Sequence, residues 1–270
     1  RLQTLVLDHR GAQRCTVEPG ILNMVCRAVT FYQKHGIHHV EDENDMPKGG
    51  QKGGWGYSDA YLFQHARTEL ERAKKPFFAV VLTLTNHPPL KIPADVPPGL
   101  IRDALPDRGK MLQYVDWSAG EYYEALKRNF PRTLFLFIAD HGQFWGDEGF
   151  YNQIPTFEQM RKVARIPFFI VPIHPGVPES VRGKSVATLA SNVDVAPTLL
   201  TLLGWQETPQ QFMGVDAFAR SGPVYIDWFN KLIRLEAVPG SLPTLSQVDA
   251  EREELIGTAG RYNLLAPPAK

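Results

Sequence analysis

Little in this chain assigns it at a glance. Its 270 residues include two cysteines, Cys15 and Cys26. They can form one disulfide or stay as two thiols, and they do not make a zinc site. No run approaches the roughly eighteen consecutive apolar residues of a transmembrane helix, and no signal-peptide pattern is present. Charge of either sign is not in excess: Lys and Arg number 29, Asp and Glu 29, for a formal net charge of +0. With no basic stripe interleaved by aromatics, nothing points to a nucleic-acid partner. No internal repeat is visible. A composition of 43% hydrophobic and 21% charged residues is that of a globular chain able to bury a substantial core. The chain opens on Arg1 rather than Met, so it is expected to be a processed or truncated piece of something longer.

What is present is organised around Thr133 to Gly146, TLFLFIADHGQFWG. Leu134 to Ala139 is an unbroken apolar run suited to a strand covered on both faces, and it is expected near the centre of a mostly parallel sheet. It stops at Asp140-His141-Gly142. Ligands of open α/β sheets gather outside the carboxyl ends of the strands. Gly142 allows a sharp turn there. A carboxylate beside an imidazole suits Zn²⁺ or Mn²⁺. The plain alternative is a turn in which Asp140 caps the next segment and His141 is half-buried.

Other runs have the same form. Leu2 to Leu7 reads as a strand ending on Asp8-His9-Arg10, and Phe77 to Thr85 as a strand ending on Asn86-His87-Pro88-Pro89. Ile166 to Val171 is a further apolar run, and Ile37 to Val40 a brief one. Helical spacing covers Ile21 to Tyr32, Ser58 to Lys75 (Leu62, Phe63, Ala66, Leu70 and Ala73 inward), Met111 to Asn129 (Leu112, Val115, Ala119, Tyr122 and Leu126 inward) and Asn192 to Leu203 (Leu199, Leu200 and Leu203 inward). A weak helical stretch lies near Asp249 to Ile256. Glu41 to Gly54 reads as a mobile surface loop whose acidic run is solvated rather than metal-binding, and Leu90 to Arg108 as an irregular, Pro-rich segment. Val224 to Trp228 and Leu232 to Leu235 suggest a hairpin or edge pair. Trp55, flanked by glycines, is either a substrate platform or an anchor for the next helix. His174 reads as a loop histidine. Alternating strands and helices predict an α/β fold, with a mostly parallel sheet sandwiched by helices and a small antiparallel C-terminal edge. Polar clusters at several strand ends together sketch one site along one sheet edge.

Five segments then coincide: FFAVVLTLTNHPP (Phe77 to Pro89), YVDWS (Tyr114 to Ser118), TLFLFIADHG (Thr133 to Gly142), RIPFFI (Arg165 to Ile170) and NVDVAPTLLTLLG (Asn192 to Gly204). In this order they resemble the sulfatase branch of the alkaline phosphatase superfamily, most closely its lipoteichoic acid synthase and phosphoglycerol transferase group. The resemblance implies a metal-dependent enzyme acting on a phosphate or sulfate ester, with a lipid head group or glycan as substrate, on the extracytoplasmic side. It implies Asp140 and His141 as ligands of Mn²⁺ or Zn²⁺ (Mg²⁺ or Ca²⁺ as alternatives), and His87 as a group beside the substrate. His9 and Arg10 fall where relatives hold head-group contacts, on a weak match. Asp116 and Trp117 look like helix-packing residues.

The departure concerns the nucleophile. The family carries it, with one or two carboxylate ligands, on an upstream strand that has no counterpart here. Cys15-Thr16 is followed by Val17-Glu18-Pro19-Gly20, which does not fit the C/S-x-P-x-R pattern of true sulfatases. The expectation is therefore a single sulfatase-like catalytic domain over residues 1–270 lacking its nucleophile-bearing portion, with little metal affinity or turnover by itself. The competing readings are a sulfuric-ester hydrolase of the same superfamily and a non-catalytic domain that binds a head group.

Overall fold

The computed structural model describes residues 3–8, 32, 37, 39–142, 164–172, 179–184, 189–205, 212, 214–228, 231–236 and 244–247. They fall in two compact units, one built on Arg1–Thr133 and the other on Leu134–Ala266. Expectations for Ile21 to Tyr32, of which Tyr32 alone is described, and for His174, Asp249 to Ile256, Cys15 and Cys26 lie outside the described residues.

The first unit holds a parallel sheet of order β2-β1-β3, with β1 Gln3–Asp8, β2 His39–Glu41 and β3 Phe77–Leu82. Leu5 pairs with His39 on one side and with Ala79 on the other. Parallel strands need a crossover connection, and helix α1 (Asp59–Arg72) lies on the one that carries the chain from β2 to β3, on the other side of β1. Ser58 caps it, its hydroxyl accepting from the Tyr61 amide at 3.2 Å. Leu62, Phe63, Ala66 and Leu70 are buried, as their spacing predicts.

Helix α2 (Asp107–Asn129) packs on α1, where Phe63 and Tyr122 stack with ring centroids 4.5 Å apart. Its inward face is Met111, Tyr114, Ser118, Tyr122, Ala125 and Leu126, whereas Leu112, expected inside, is exposed. The reason is that a buried polar group sets the rotation. The Tyr114 hydroxyl donates to Asp95 at 3.0 Å and accepts from the Ala60 amide at 3.3 Å, and Ser118, buried on the same face, is satisfied within the helix by the Val115 carbonyl at 3.1 Å. Trp117 lies against Tyr114 and Asp116 is exposed.

The Glu41 to Gly54 segment is a hydrogen-bonded turn rather than a loose loop. Asp42 accepts from the Asn44 amide at 2.7 Å, Met46 is buried, and the Tyr61 hydroxyl donates to the Pro47 carbonyl at 2.7 Å.

In the second unit β4 (Leu134–Ile138) pairs with β5 (Phe168–Pro172) in an antiparallel, two-stranded sheet. The expected place of Leu134 to Ala139 inside a parallel sheet is thus not what the described residues show. An apolar run reports coverage of both faces but carries no information on the direction of its partner. All five β4 residues are half-buried. A 3₁₀ turn, Asn192–Asp194, leads into α3 (Val195–Leu202). Here Thr198 is buried and Leu203, expected inside, is exposed. Gly204, at φ +74°, ends the helix in the left-handed region that favours glycine. The antiparallel C-terminal edge is present and larger than predicted: β6 (Val224–Trp228), β7 (Lys231–Glu236) and β8 (Thr244–Gln247) in that order.

Candidate active site

The exit of β3 is held from the start of α1. Asp59, fully buried, accepts from the Leu84 and Thr85 amides at 3.1 Å each, and its own amide donates to the Thr85 hydroxyl at 2.8 Å. A carboxylate in the first turn of a helix also meets the positive end of its dipole. The chain then turns, with the His87 amide donating to the Leu84 carbonyl at 2.8 Å. His87 Nδ1–H donates to the Pro88 carbonyl at 2.6 Å, so Nε2 is the nitrogen available to a ligand.

The His87 ring stacks on Trp55, centroids 3.6 Å apart at 29°. Trp55 sits on a short hairpin closed by Gly53 N–H to Gly56 O and Ser58 N–H to Gln51 O, both 2.8 Å. That hairpin touches the histidine turn so closely that a Cβ on Gly54 would come within 2.5 Å of the Pro89 carbonyl oxygen. Trp55 is 52% exposed. It is therefore no buried anchor for α1 but one wall beside His87.

In the second unit β4 ends on Asp140 and His141, whose side chains are 83% and 63% exposed. The Asp140 backbone carbonyl accepts from the Asn192 side chain at 2.8 Å. That loop is fixed in turn by Asp194, which is fully buried. Asp194 accepts from the Ser191 and Val215 amides at 2.9 Å each and pairs with Arg220. Asp140 Oδ1 accepts from the His141 amide at 2.9 Å, and His141 Nδ1–H donates to the Gly142 carbonyl at 2.7 Å. Nε2 of His141 then presents its lone pair 3.8 Å from Asp140 Oδ2. Two ligands on one tetrahedral ion with bonds of about 2.1 Å lie about 3.4 Å apart, and metal-binding histidines characteristically give their other N–H to a carbonyl or carboxylate. The pair fits a divalent ion. Among the described residues no third His, Cys, Asp or Glu completes it.

Of the residues picked out in the sequence, the structure brings Asp140 to His141, and His87 to Trp55. The first pair belongs to the second unit and the other to the first. His9 and Arg10 lie outside the described residues. Sequence reasoning missed Asp59 as the anchor of the histidine turn and Asp194 as the anchor of the Asn192 loop. The signal available for each was an acidic residue at the first turn of an amphipathic helix. It also missed a cluster of His39, Glu41 and Glu69, whose ligand atoms lie within 4.8 Å of one another.

Residues 6–205 match the family model for sulfatases, and the chain belongs to the sulfatase family. It is 27% identical over 208 residues to lipoteichoic acid synthase 2 of Bacillus subtilis (strain 168), which covers 70% of this chain and 30% of that protein. To the choline-sulfatase of Rhizobium meliloti (strain 1021) it is 30% identical over 127 residues, 43% of this chain and 23% of that one. A solved structure of a protein in the alkaline phosphatase superfamily from Vibrio parahaemolyticus aligns with a TM-score of 0.67 at 22% identity, over 100% of this chain and 67% of that one. That likeness supports the α/β fold. The chain spans about 30% of the length of the lipoteichoic acid synthase relatives it matches.

Proposed function

We propose that the chain contributes to a metal-dependent enzyme that transfers or hydrolyses phosphate esters, of phosphoglycerol transferase type, on a lipid or glycan head group outside the cytoplasm. The observation that carries this reading is the Asp140–His141 pair: exposed, convergent, and with His141 Nδ1–H tied to a carbonyl so that Nε2 faces outward. It supports the reading because the chain is a sulfatase-family member similar to a lipoteichoic acid synthase. The family match runs across the boundary between the two units, which favours a single catalytic domain over residues 1–270.

Asp140 and His141 would hold Mn²⁺ or Zn²⁺, with Mg²⁺ or Ca²⁺ as harder alternatives. A bound ion of this kind offsets charge on the ester oxygens and activates a hydroxyl nucleophile. His87 keeps Nδ1–H on Pro88, which directs Nε2 to the substrate. When protonated there, it donates to a leaving-group or non-bridging ester oxygen. Trp55 covers one face of that ring and limits its rotation. His9 and Arg10 are assigned, on the weakest ground, to head-group contacts. A second reading, sulfate-ester hydrolysis, is favoured by the likeness to a choline-sulfatase.

The test uses the complete natural polypeptide with Mn²⁺ and two chromogenic substrates, an aryl phosphodiester and an aryl sulfate. Phosphodiester turnover that falls about 100-fold or more in Asp140→Ala, and comparably in His87→Ala, is expected, since ligand loss costs at least as much as loss of a ligand's support. Preference for the aryl sulfate would install the second reading. Head-group binding without turnover, unchanged by Asp140→Ala, would overturn both and leave a binding domain.

A further inference from the structure

Away from the Asp140–His141 pair, the first unit gathers one imidazole and two carboxylates at one point, with a second imidazole bound to the other oxygen of one of them. Side chains two apart on a strand share a face, and β2 presents His39 and Glu41 in that way. Side chains four apart on a helix are neighbours, and α1 presents His65 and Glu69. Glu41 stands between the histidines: His39 Nε2–H donates to its Oε1 at 2.7 Å and His65 Nε2–H to its Oε2 at 2.6 Å. The ligand atoms of His39, Glu41 and Glu69 lie within 4.8 Å of one another. The side chains of Glu41, His65 and Glu69 are only 14%, 10% and 15% exposed, and that of His39 is 38% exposed, which leaves an approach from solvent.

We infer that His39, Glu41 and Glu69 form a divalent-cation site of one nitrogen and two oxygens, suited to Zn²⁺ with water completing the shell, that clamps β2 to α1 while His65 holds Glu41 from its other oxygen. Two half-buried carboxylates side by side repel each other, and besides the histidines Arg72 offsets that charge, reaching Glu69 at 2.8 Å from a side chain that is 72% exposed. A cation at the centre would answer both carboxylates at once. One imidazole and two carboxylates are ligands Zn²⁺ takes, with a water in the fourth position, and imidazole nitrogen selects against Mg²⁺ and Ca²⁺. Ligands of a tetrahedral zinc lie about 3.4 Å apart at bonds of about 2.1 Å, so the His39–Glu41 contact at 2.7 Å opens by less than about 1 Å and the wider separations, within 4.8 Å, close by about 1 Å or a little more. The His39 imidazole gives up its Nε2 proton as the metal enters, and His65 keeps its own on Glu41. Through α1 the clamp bears on Ser58 and Asp59 at the helix start, and so on the turn that carries His87. The site does not depend on the ester-transfer reading of Asp140 and His141.

The experiment titrates the metal-free chain with Zn²⁺ and with Co²⁺, following heat of binding, thermal unfolding and the visible absorption of Co²⁺. One tight equivalent per chain is expected, with a tetrahedral Co²⁺ spectrum and a raised Tm. Glu69→Gln and His39→Gln should weaken it at least tenfold while leaving the metal-free circular dichroism unchanged. Asp140→Ala should leave the tight equivalent and the Co²⁺ spectrum in place. Absence of tight binding, an octahedral Co²⁺ spectrum, or tight binding lost with Asp140→Ala and kept in Glu69→Gln would each overturn the assignment. The cluster would then be an ion-pair network alone.

Discussion

At the scale of single residues, Trp55 and His87 are the pair whose roles can be separated. The stack is worth about 0.5–1.5 kcal/mol beyond burial, so its loss is expected to lower kcat/KM about two- to tenfold. Because Trp55 is half-exposed, Trp55→Ala should leave Tm nearly unchanged, and Trp55→Phe should recover most activity. Steady-state kinetics with paired thermal melts check this, and a large fall in Tm would make Trp55 a packing residue after all. Two tyrosines of α2 give a second expectation. Burial pushes the phenols of Tyr114 and Tyr122 well above the ordinary value of 10.0. The folded state therefore holds these protons after the unfolded chain has released them, and stability falls as pH rises above about 10. Urea unfolding from pH 8 upward should show a plateau and then a decline. In the Tyr114→Phe, Tyr122→Phe double variant that decline should be shallower, from a plateau about 1–2 kcal/mol lower for the lost Asp95 and Ala60 hydrogen bonds.

At the scale of elements, two acidic side chains do corresponding work, each fixing a loop that leads to a candidate site residue. Asp194 is the stronger case, because it is fully buried and paired with an Arg220 side chain only 10% exposed. Removing one member of a buried pair strands the other charge, at about 3–5 kcal/mol. Asp194→Ala is therefore expected to lose that much by chemical denaturation and to disorder the Asn192 contact with Asp140. Gly214→Ala should be similarly damaging, since a Cβ there would lie 2.0 Å from the Val193 carbonyl oxygen. These elements also show what could be read without coordinates. The start of α1 at Ser58, its inward residues, and Asp140 and His141 at a strand end all followed from local pattern. The rotation of α2 did not, because Tyr114 faces inward to make polar contacts that an apolar template ignores. The antiparallel partner of β4 did not either, since a run such as Leu134 to Ile138 is alike in both kinds of sheet. Nor could the meeting of Glu41 with His65, 24 residues apart, be foreseen, because it exists only once α1 lies against β2.

At the scale of the whole molecule, the two proposed cation loci differ in kind, and the difference can be measured in one titration. The β2–α1 cluster supplies three protein ligands, two of them carboxylates largely withdrawn from water. The Asp140–His141 pair supplies two, both exposed, among the described residues. A zinc ion held by three protein ligands leaves one position to water, whereas a site with two leaves half of its coordination to water and binds more weakly. Zn²⁺ should therefore enter the 270-residue chain in two steps, a tight one that raises Tm and a weak one that does not. Stabilisation by a ligand grows as RT ln(1 + [L]/Kd), so about 2.7 kcal/mol is expected at a free Zn²⁺ concentration one hundred times the tight Kd. A chelator should reverse that gain without unfolding the chain, whose helices α1 and α2 pack through Phe63 and Tyr122 independently of any ion. Mn²⁺, which prefers oxygen-rich sites, should discriminate less between the two steps. His141→Ala should remove the weak step alone, and Glu41→Gln the tight one alone. A single step abolished by either variant would mean that the two loci are one functional unit in solution, and the division into a structural clamp and a reaction site would have to be abandoned.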